Sequence, residues 1–357
     1  MPEKRLVIIM KNPGTACNMG CVYCAEERKK YASVESRIEY AQVERLADLT
    51  KDYSLNVLFH GGEPTLLPTE YYQKLIDIFE AHNNDVYFGI QTNAFNIEET
   101  WLGFLNANKH RYGVSVSLDG TKSINRLRVT KNKIDTFERV LRNIQIMAAN
   151  GIKTGMICTI VSTSLGREEE LLELLMSLGN LLFVKLNPCF DRDENGRQPD
   201  WAITPKQYAG FVKNVFNIML KSGKWNSFFI EPIMSILKNL QGVSTSFCNY
   251  SFEKCENFIS LYPDGTITSC DNFNLRQGFL GNLNEISCLD EILDMRNNIK
   301  LHADYRLLMA ECRSCEYTGL CKGGCIAARS RYNGTDEYCS GRKLMIDHIK
   351  RAYETLK

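Results

Sequence analysis

The sequence has no long hydrophobic run and no excess of charge of either sign. No stretch of eighteen or more apolar residues occurs among its 357 residues, so the sequence predicts no membrane-spanning helix. Lysine and arginine total 43 and aspartate and glutamate total 42, which gives no reason to expect a nucleic acid or an anionic membrane as partner. The apolar run at 6–10 is too short for a secretory signal, so we expect a cytoplasmic protein.

Cysteine is scarce in the middle of the chain and concentrated towards its two ends. Of the 14 cysteines, three lie at 17, 21 and 24, and eight form a second group from Cys248 to Cys339. Cys158, Cys189 and Cys288 stand apart. Because disulfides are disfavoured in the cytosol, such clustered thiols indicate metal binding or catalysis.

The region between the cysteine groups alternates strand-like and helix-like segments about six times, without a sequence repeat. This alternation allows a doubly wound sheet or a barrel. Small and polar residues follow several strands, as in "HGGEP", "QTN" and "SLDG", and barrel enzymes build their sites from such strand ends. We therefore expect an α/β fold, a partial (β/α)6 TIM-like barrel over 1–225. A helical linker (226–245), a small cysteine-rich domain (246–345) and a C-terminal helix (346–357) would follow.

The first three cysteines lie in "CNMGCVYC", a loop that follows the first predicted strand. Zinc with a fourth ligand from elsewhere is one interpretation, since structural zinc is usually four-coordinate. An iron–sulfur cluster is the other, and it also takes four ligands. A cluster held by only three thiolates keeps one iron open for a small molecule, which would explain why the loop stops at three.

This loop resembles the C-x3-C-x-aromatic-C loop of the radical S-adenosylmethionine (SAM) family, with Tyr23 as the aromatic residue. The resemblance extends from about residue 5 to 345. It implies that the thiolates of Cys17, Cys21 and Cys24 hold a 4Fe–4S cluster. It also implies a group of SAM-binding residues at the strand ends: Tyr23, Gly61, Gly62, Glu63, Pro64, Asn93 and Ser117.

The family's chemistry is specific. The resemblance implies that SAM chelates the open iron and that an electron from the cluster cleaves its sulfonium bond. The resulting 5′-deoxyadenosyl radical takes a hydrogen atom from an unactivated carbon, while the protein orients and shields the reactants. A reductant such as flavodoxin or ferredoxin is the expected electron donor.

The second cysteine group closely resembles the SPASM extension of the same family, including Gly265 between the second and third cysteines. That extension is a small hairpin-and-loop domain around two auxiliary 4Fe–4S clusters. By analogy, Cys248, Cys255, Cys270 and Cys325 bind the first, and Cys312, Cys315, Cys321 and Cys339 bind the second. Two zinc ribbons are the alternative, because C-x2-C pairs often bind zinc.

Within the family, the similarity is greatest to anaerobic sulfatase-maturating enzymes and to maturases of ribosomally made peptides. Asp271 directly follows Cys270, where the sulfatase maturases have a proposed general base, and a turn-capping role is the alternative. His60 stands before "GGEP" where those enzymes have Gln, so it is expected either to face the substrate or to be structural.

The predicted function is a radical SAM/SPASM maturase that abstracts a side-chain hydrogen within a peptide or protein, giving a cross-link or an oxidation. Sulfatase maturation, from Cys or Ser to formylglycine, is the runner-up. A zinc-stabilised binding module is the alternative of another class. The residues before the cysteine loop are too few for a separate peptide-binding domain, so a peptide would bind directly, for example by adding to a strand edge.

Overall fold

The computed structural model describes residues 4–28, 37–82, 85–193, 195–225, 227–252, 255–273, 275–332 and 336–355. The strands of the described residues are β1 (Arg5–Lys11), β2 (Ser54–His60), β3 (Val86–Thr92), β4 (Tyr112–Ser117), β5 (Thr154–Ile160), β6 (Leu181–Pro188), β7 (Phe229–Glu231), β8 (Phe258–Leu261), β9 (Thr266–Thr268) and β10 (Phe279–Asn282).

The helices of the described residues are α1 (Ala25–Arg28), α2 (Tyr40–Leu49), α3 (Thr69–His82), α4 (Glu99–Ala107), α5 (Phe137–Ala149), α6 (Glu168–Ser177), α7 (Pro205–Ser222), α8 (Ile233–Leu240), α9 (Leu275–Gly278), α10 (Leu289–Asn298), α11 (Lys300–Cys312), α12 (Thr318–Cys321), α13 (Ile326–Ser330) and α14 (Asp336–Thr355). None of these helices is long and apolar enough to cross a membrane.

The chain forms two compact units. The first runs to Val116 and adds Arg128–Lys153 and Cys255–Ala303. The second takes in Ser117–Leu127 and, of the described residues, 154–252 and 304–355. The predicted domain boundaries differ from this division and stay a prediction. The predicted boundary residue 226 lies outside the described residues, and so do residues 356 and 357 of the predicted C-terminal helix.

The sheet of the first unit has the strand order β10-β9-β8-β1-β2-β3-β4. β1 pairs in parallel with β2 and β8, and β3 and β4 continue the parallel series. β8, β9 and β10 form an antiparallel meander, the hairpin expected for the cysteine-rich part. Because parallel strands end at the same edge, the segments after β1, β2 and β3 meet there, and Lys11 is the register partner of His60.

The core of the first unit follows from the two-residue periodicity of its strands. Leu55, Val57 and Phe59 alternate along β2 and are at most 3% exposed. On this face, the Phe59 ring packs edge-on against Tyr72 of α3 at 4.9 Å between centroids. Since neighbouring side chains point to opposite faces of a strand, the same alternation turns His60 away from this core.

The second unit contains the parallel strands β5, β6 and β7. Thr204 followed by Pro205 predicts the start of a helix, and the structure confirms it. Pro205 is the first residue of α7, and the Thr204 hydroxyl accepts a hydrogen bond from the Gln207 amide at 3.2 Å. α14 packs along α7, where His348 and Asn217 share a hydrogen bond of 2.6 Å. The predicted α/β class with parallel strands is confirmed in each unit.

Hydrophobic periodicity predicts the positions of α2, α3 and α5 better than it predicts their first and last residues. The periodicity of residues 39–53 predicts a helix over that whole segment, but the helix spans only Tyr40–Leu49. Thr69 stands before a helix-like segment and its residue type predicts an N-cap, but it is the first residue of α3. A glycine after the helix-like segment 134–150 predicts a C-cap at Gly151, which adopts φ +70° two residues after α5 ends.

Candidate functional site

The three-cysteine loop lies between β1 and α1, and the thiols of Cys17, Cys21 and Cys24 are half-buried. The Cys17 sulfur accepts hydrogen bonds from the Met19 amide at 3.4 Å and from Asn93 Nδ2 at 3.6 Å. Burial raises the pKa of Cys17 to about 12, against the effect of the Met19 amide. A thiol held neutral in this way becomes a ligand only when a bound cation displaces its proton.

Two main-chain hydrogen bonds connect the turn after β2 to this loop. The Gly62 amide donates to the Gly14 carbonyl and the Glu63 amide donates to the Ala16 carbonyl, both at 2.8 Å. A Cβ atom on Gly62 would lie 1.9 Å from the Ala16 carbonyl oxygen. Only glycine therefore allows the turn to approach the cysteine loop so closely.

Glu63 is completely buried, and its carboxylate fixes the ends of β2 and β3 to one another. One oxygen accepts hydrogen bonds from the Thr65 amide, the Thr65 hydroxyl and the Thr92 hydroxyl at 2.6 to 3.0 Å. The other accepts from the Asn93 amide at 2.7 Å. Desolvation raises the pKa of Glu63, and these four donors oppose that rise. The carboxylate thus organises the site from inside the protein.

The remaining predicted SAM contacts lie at three strand ends or in the cysteine loop itself. Asn93 donates to Asn18 Oδ1 at 2.7 Å, which ties the end of β3 to the cysteine loop. The Tyr23 hydroxyl accepts a hydrogen bond from Arg128 at 3.1 Å. Pro64 is buried at the start of a 3₁₀ turn, and Ser117 is half-buried as the last residue of β4. Their roles towards SAM stay predictions.

A charged cluster lies at the same edge of the first unit. The Lys11 ammonium is completely buried and contacts Asp271 Oδ1 at 2.5 Å, Glu26 Oε1 at 2.9 Å and His60 Nδ1 at 3.0 Å. An ammonium group has three donors and no acceptor, so Nδ1 of His60 accepts and the ring proton lies on Nε2. His60 Nδ1 and Asp271 Oδ2 are 3.6 Å apart. We call Lys11, Glu26, His60 and Asp271 the lysine cluster.

Lys11 and Glu26 are the members of this cluster that the sequence did not identify. A lysine that ends an apolar strand, and a glutamate two residues after Cys24, were visible signals. Ligand atoms of Glu26, His60 and Asp271 all lie within 4.8 Å of one another, which by itself would suit a metal ion. The Lys11 ammonium contacts all three, however, and supplies the positive charge there.

The described thiols form no group with the spacing of zinc ligands. Tetrahedral zinc with bonds of about 2.3 Å to sulfur brings its thiolates to roughly 3.8 Å from one another. Among the described residues, which include all 14 cysteines, no three thiols lie within 4.8 Å of one another.

The auxiliary cysteines divide between the two units. Cys255 and Cys270 belong to the first, and Cys248 and Cys325 to the second, so the first auxiliary ligand set stays a prediction. The second set lies in the second unit as a whole: Cys312, Cys315, Cys321 and Cys339.

The family model of the radical SAM superfamily matches residues 11–184, which include the cysteine loop and the glycine turn. Residues 11–184 are a radical SAM domain. The predicted resemblance to the radical SAM family is confirmed.

Curated proteins and solved structures extend the similarity beyond the radical SAM domain. A cysteine-type anaerobic sulfatase-maturating enzyme of Clostridium perfringens (strain 13 / Type A) is 25% identical, with 96% of each chain covered. The structure described as native anSMEcpe with bound AdoMet and Cp18Cys peptide has a TM-score of 0.83 at 23% identity, covering 99% of each chain. Streptococcus suis SuiB bound to precursor peptide SuiA has a TM-score of 0.64 at 18% identity, covering 94% of this chain and 75% of SuiB. At these identities, the two structures show the fold.

Proposed function

We propose that this protein is a radical SAM oxidoreductase that modifies a residue within a peptide or protein. The observation that carries the proposal is the arrangement at one edge of the first unit. A loop with three thiols is fastened to a glycine turn, and the lysine cluster lies at the ends of the same strands. The radical SAM domain and the peptide-bound structures of similar fold support this reading.

The residues present fit the cofactors that this function needs. The thiols of Cys17, Cys21 and Cys24 would hold a 4Fe–4S cluster, and the main chain at Gly61 and Gly62 would approach SAM without intervening side chains. When bound, the cluster and SAM supply the electron and the hydrogen-abstracting power that start the reaction at an unactivated carbon.

The lysine cluster would act on the substrate. We assign Asp271 as the base that takes the proton released when the substrate carbon is oxidised. The Lys11 ammonium, 2.5 Å away, holds this carboxylate in place and balances its charge. His60 carries its proton on Nε2 because Nδ1 accepts from Lys11, so the ring would donate to a peptide carbonyl.

Sulfatase maturation is the second candidate. The 25% identity to a cysteine-type sulfatase maturase over 96% of each chain favours it. The residue before the glycine turn argues against it, since His60 stands where the resemblance leads one to expect Gln. A peptide oxidation or cross-link at another residue type is therefore the first choice. Two auxiliary clusters and an external reductant such as flavodoxin or ferredoxin belong to either proposal. A zinc-stabilised binding module without catalysis stays the alternative of another class.

The test is anaerobic incubation of the purified protein with reductant, SAM and candidate peptides, followed by mass spectrometry. We expect 5′-deoxyadenosine together with a peptide that has lost two hydrogens and gives cross-linked or oxidised fragments. Formylglycine on a sulfatase-motif peptide would favour the second candidate. A colourless zinc-containing protein that leaves SAM intact would exclude both.

A further inference from the structure

Two buried arginines in the second unit donate to the sulfur atoms of predicted cluster ligands. Arg342 Nε donates to the Cys321 sulfur at 3.0 Å, and its Nη2 donates to the carbonyl oxygens of Cys321 and Asn249, both at 2.9 Å. Its guanidinium lies 4.2 Å from the centroid of the Tyr250 ring. Three hydrogen bonds and a ring contact hold this charge in one orientation.

Arg329 reaches the same set of cysteines from α13. Its Nη1 donates to the Cys312 sulfur at 3.2 Å, and the side chain is only 4% exposed. Its Nε is buried and has no hydrogen-bond partner within the described residues. A buried N–H group without an acceptor is energetically costly. The unpaired Nε of Arg329 is therefore consistent with an additional acceptor at this position, such as a cluster sulfide.

Electrostatics places the two arginines and three of the four thiols in one neighbourhood. Burial raises the pKa of Cys339, Arg329 opposes that rise, and Cys321 and Cys312 add to it. The charge of Arg342 also lowers the pKa of Cys339. Two guanidinium groups, both less than a tenth exposed, therefore lie beside thiols that belong to one predicted ligand set.

We propose that Arg329 and Arg342 raise the reduction potential of the auxiliary cluster held by Cys312, Cys315, Cys321 and Cys339. The inference rests on the proposed function only in requiring a cluster at these four thiols. Reduction adds a negative charge to the cluster, and a fixed positive charge in a poorly solvated place stabilises that form. Hydrogen bonds to the ligand sulfurs act in the same direction.

The test is a redox titration followed by electron paramagnetic resonance. The parent for the titration is full-length protein with Cys17, Cys21 and Cys24 replaced by alanine, which leaves the two auxiliary clusters. We expect Arg329→Met and Arg342→Met each to lower the midpoint of one component. At the parent's midpoint, the ratio of reduced to oxidised cluster should fall at least tenfold, which is about 59 mV for one electron.

Neighbouring cations provide matched controls. Arg331 lies two residues after Arg329, Lys343 lies one residue after Arg342, and both side chains are exposed. Arg331 contacts the Phe190 carbonyl and Lys343 contacts the Tyr317 ring. Arg331→Met and Lys343→Met therefore remove a nearby charge without removing a hydrogen bond to sulfur. Both should leave the midpoints unchanged. Equal shifts in the control variants, or unchanged midpoints in Arg329→Met and Arg342→Met with full iron content, would overturn the proposal.

Conservative variants keep the test decisive if a methionine variant loses iron. Arg329→Lys and Arg342→Lys retain the charge but lose the planar donor set, so each should show a smaller shift in the same direction. An unchanged midpoint in both lysine variants would contradict the contribution assigned to the hydrogen bonds. A parent that holds only one cluster, with zinc or nothing at these four thiols, would remove the inference while leaving peptide modification untouched.

Discussion

Asp271 accepts a hydrogen bond from Lys11 at 2.5 Å, although 260 residues separate the two in the sequence. Lys11 is the last residue of β1, directly before the cysteine loop, and Asp271 follows a predicted cluster ligand. The contact ties the start of the radical SAM domain to the cysteine-rich segment within one compact unit. It also places an acidic group of defined geometry at the strand ends where the chemistry is proposed.

Replacing Lys11 should therefore destabilise the first unit. Lys11→Met leaves two carboxylates, Glu26 and Asp271, side by side without their cation. Removing one partner of a buried ion pair is strongly destabilising, and we expect a loss of about 3 kcal/mol in the free energy of unfolding. Urea unfolding under anaerobic conditions measures this loss. Lys11→Arg, which keeps the charge, should lose less.

The matched control for this variant is Lys51→Met. Lys51 pairs with Asp48 at 3.3 Å on the surface, and exposed pairs contribute roughly 0–1 kcal/mol. If both methionine variants unfold at the parent's urea concentration, the lysine cluster has no structural role of the kind assigned here.

Removing the three loop thiols should separate cofactor chemistry from the auxiliary clusters. Cys17, Cys21 and Cys24 replaced together by alanine should abolish SAM cleavage and leave roughly eight irons per chain, if each remaining cluster holds four. Iron analysis and release of 5′-deoxyadenosine report the two quantities. A triple variant that still cleaves SAM would show that the open iron lies elsewhere.

The edge of the sheet where these residues meet could be predicted from sequence, because each segment carries a local signal. Glycine and polar residues directly follow β2 and β3, and Thr204 with Pro205 marks the start of α7 before any tertiary contact is known. Such signals depend on backbone conformation and on neighbouring residues alone.

The partners of Lys11 and Arg342 could not be predicted in this way. A lysine at the end of an apolar strand is compatible with a solvent-exposed end, and nothing near it in the sequence indicates a carboxylate 260 residues away. Arg342 lies on a long helix with mostly polar neighbours, so its burial against Tyr250 and Cys321 depends on how that helix packs. Long-range ion pairs arise from the fold, and only the fold reveals them.

Replacing Asp271 by asparagine should uncouple SAM cleavage from product formation. Asparagine keeps the size of the side chain but is a much weaker base, so we expect 5′-deoxyadenosine to form while the modified peptide falls at least tenfold. Quantitative mass spectrometry of both products in one reaction measures the ratio. Asp264→Asn is the control, because Asp264 lies in an exposed turn of the same meander and contacts the Thr266 amide. Parallel loss of both products, or of neither, would contradict the role of Asp271.

The close approach of the glycine turn to the cysteine loop gives the sharpest steric prediction. In Gly62→Ala, the new Cβ would lie 1.9 Å from the Ala16 carbonyl oxygen, a backbone atom that cannot move without shifting the loop. We expect this variant to lose about four irons and all SAM cleavage, since one cubane cluster depends on that loop. Gly103→Ala is the matched control: it lies in α4 with no atom within 4 Å of its new Cβ, so it should keep full iron and gain up to about 1 kcal/mol of stability. Iron content and thermal unfolding of the two variants, measured side by side, check both expectations. A Gly62→Ala protein with full iron and normal SAM cleavage would show that the turn does not shape the cofactor site.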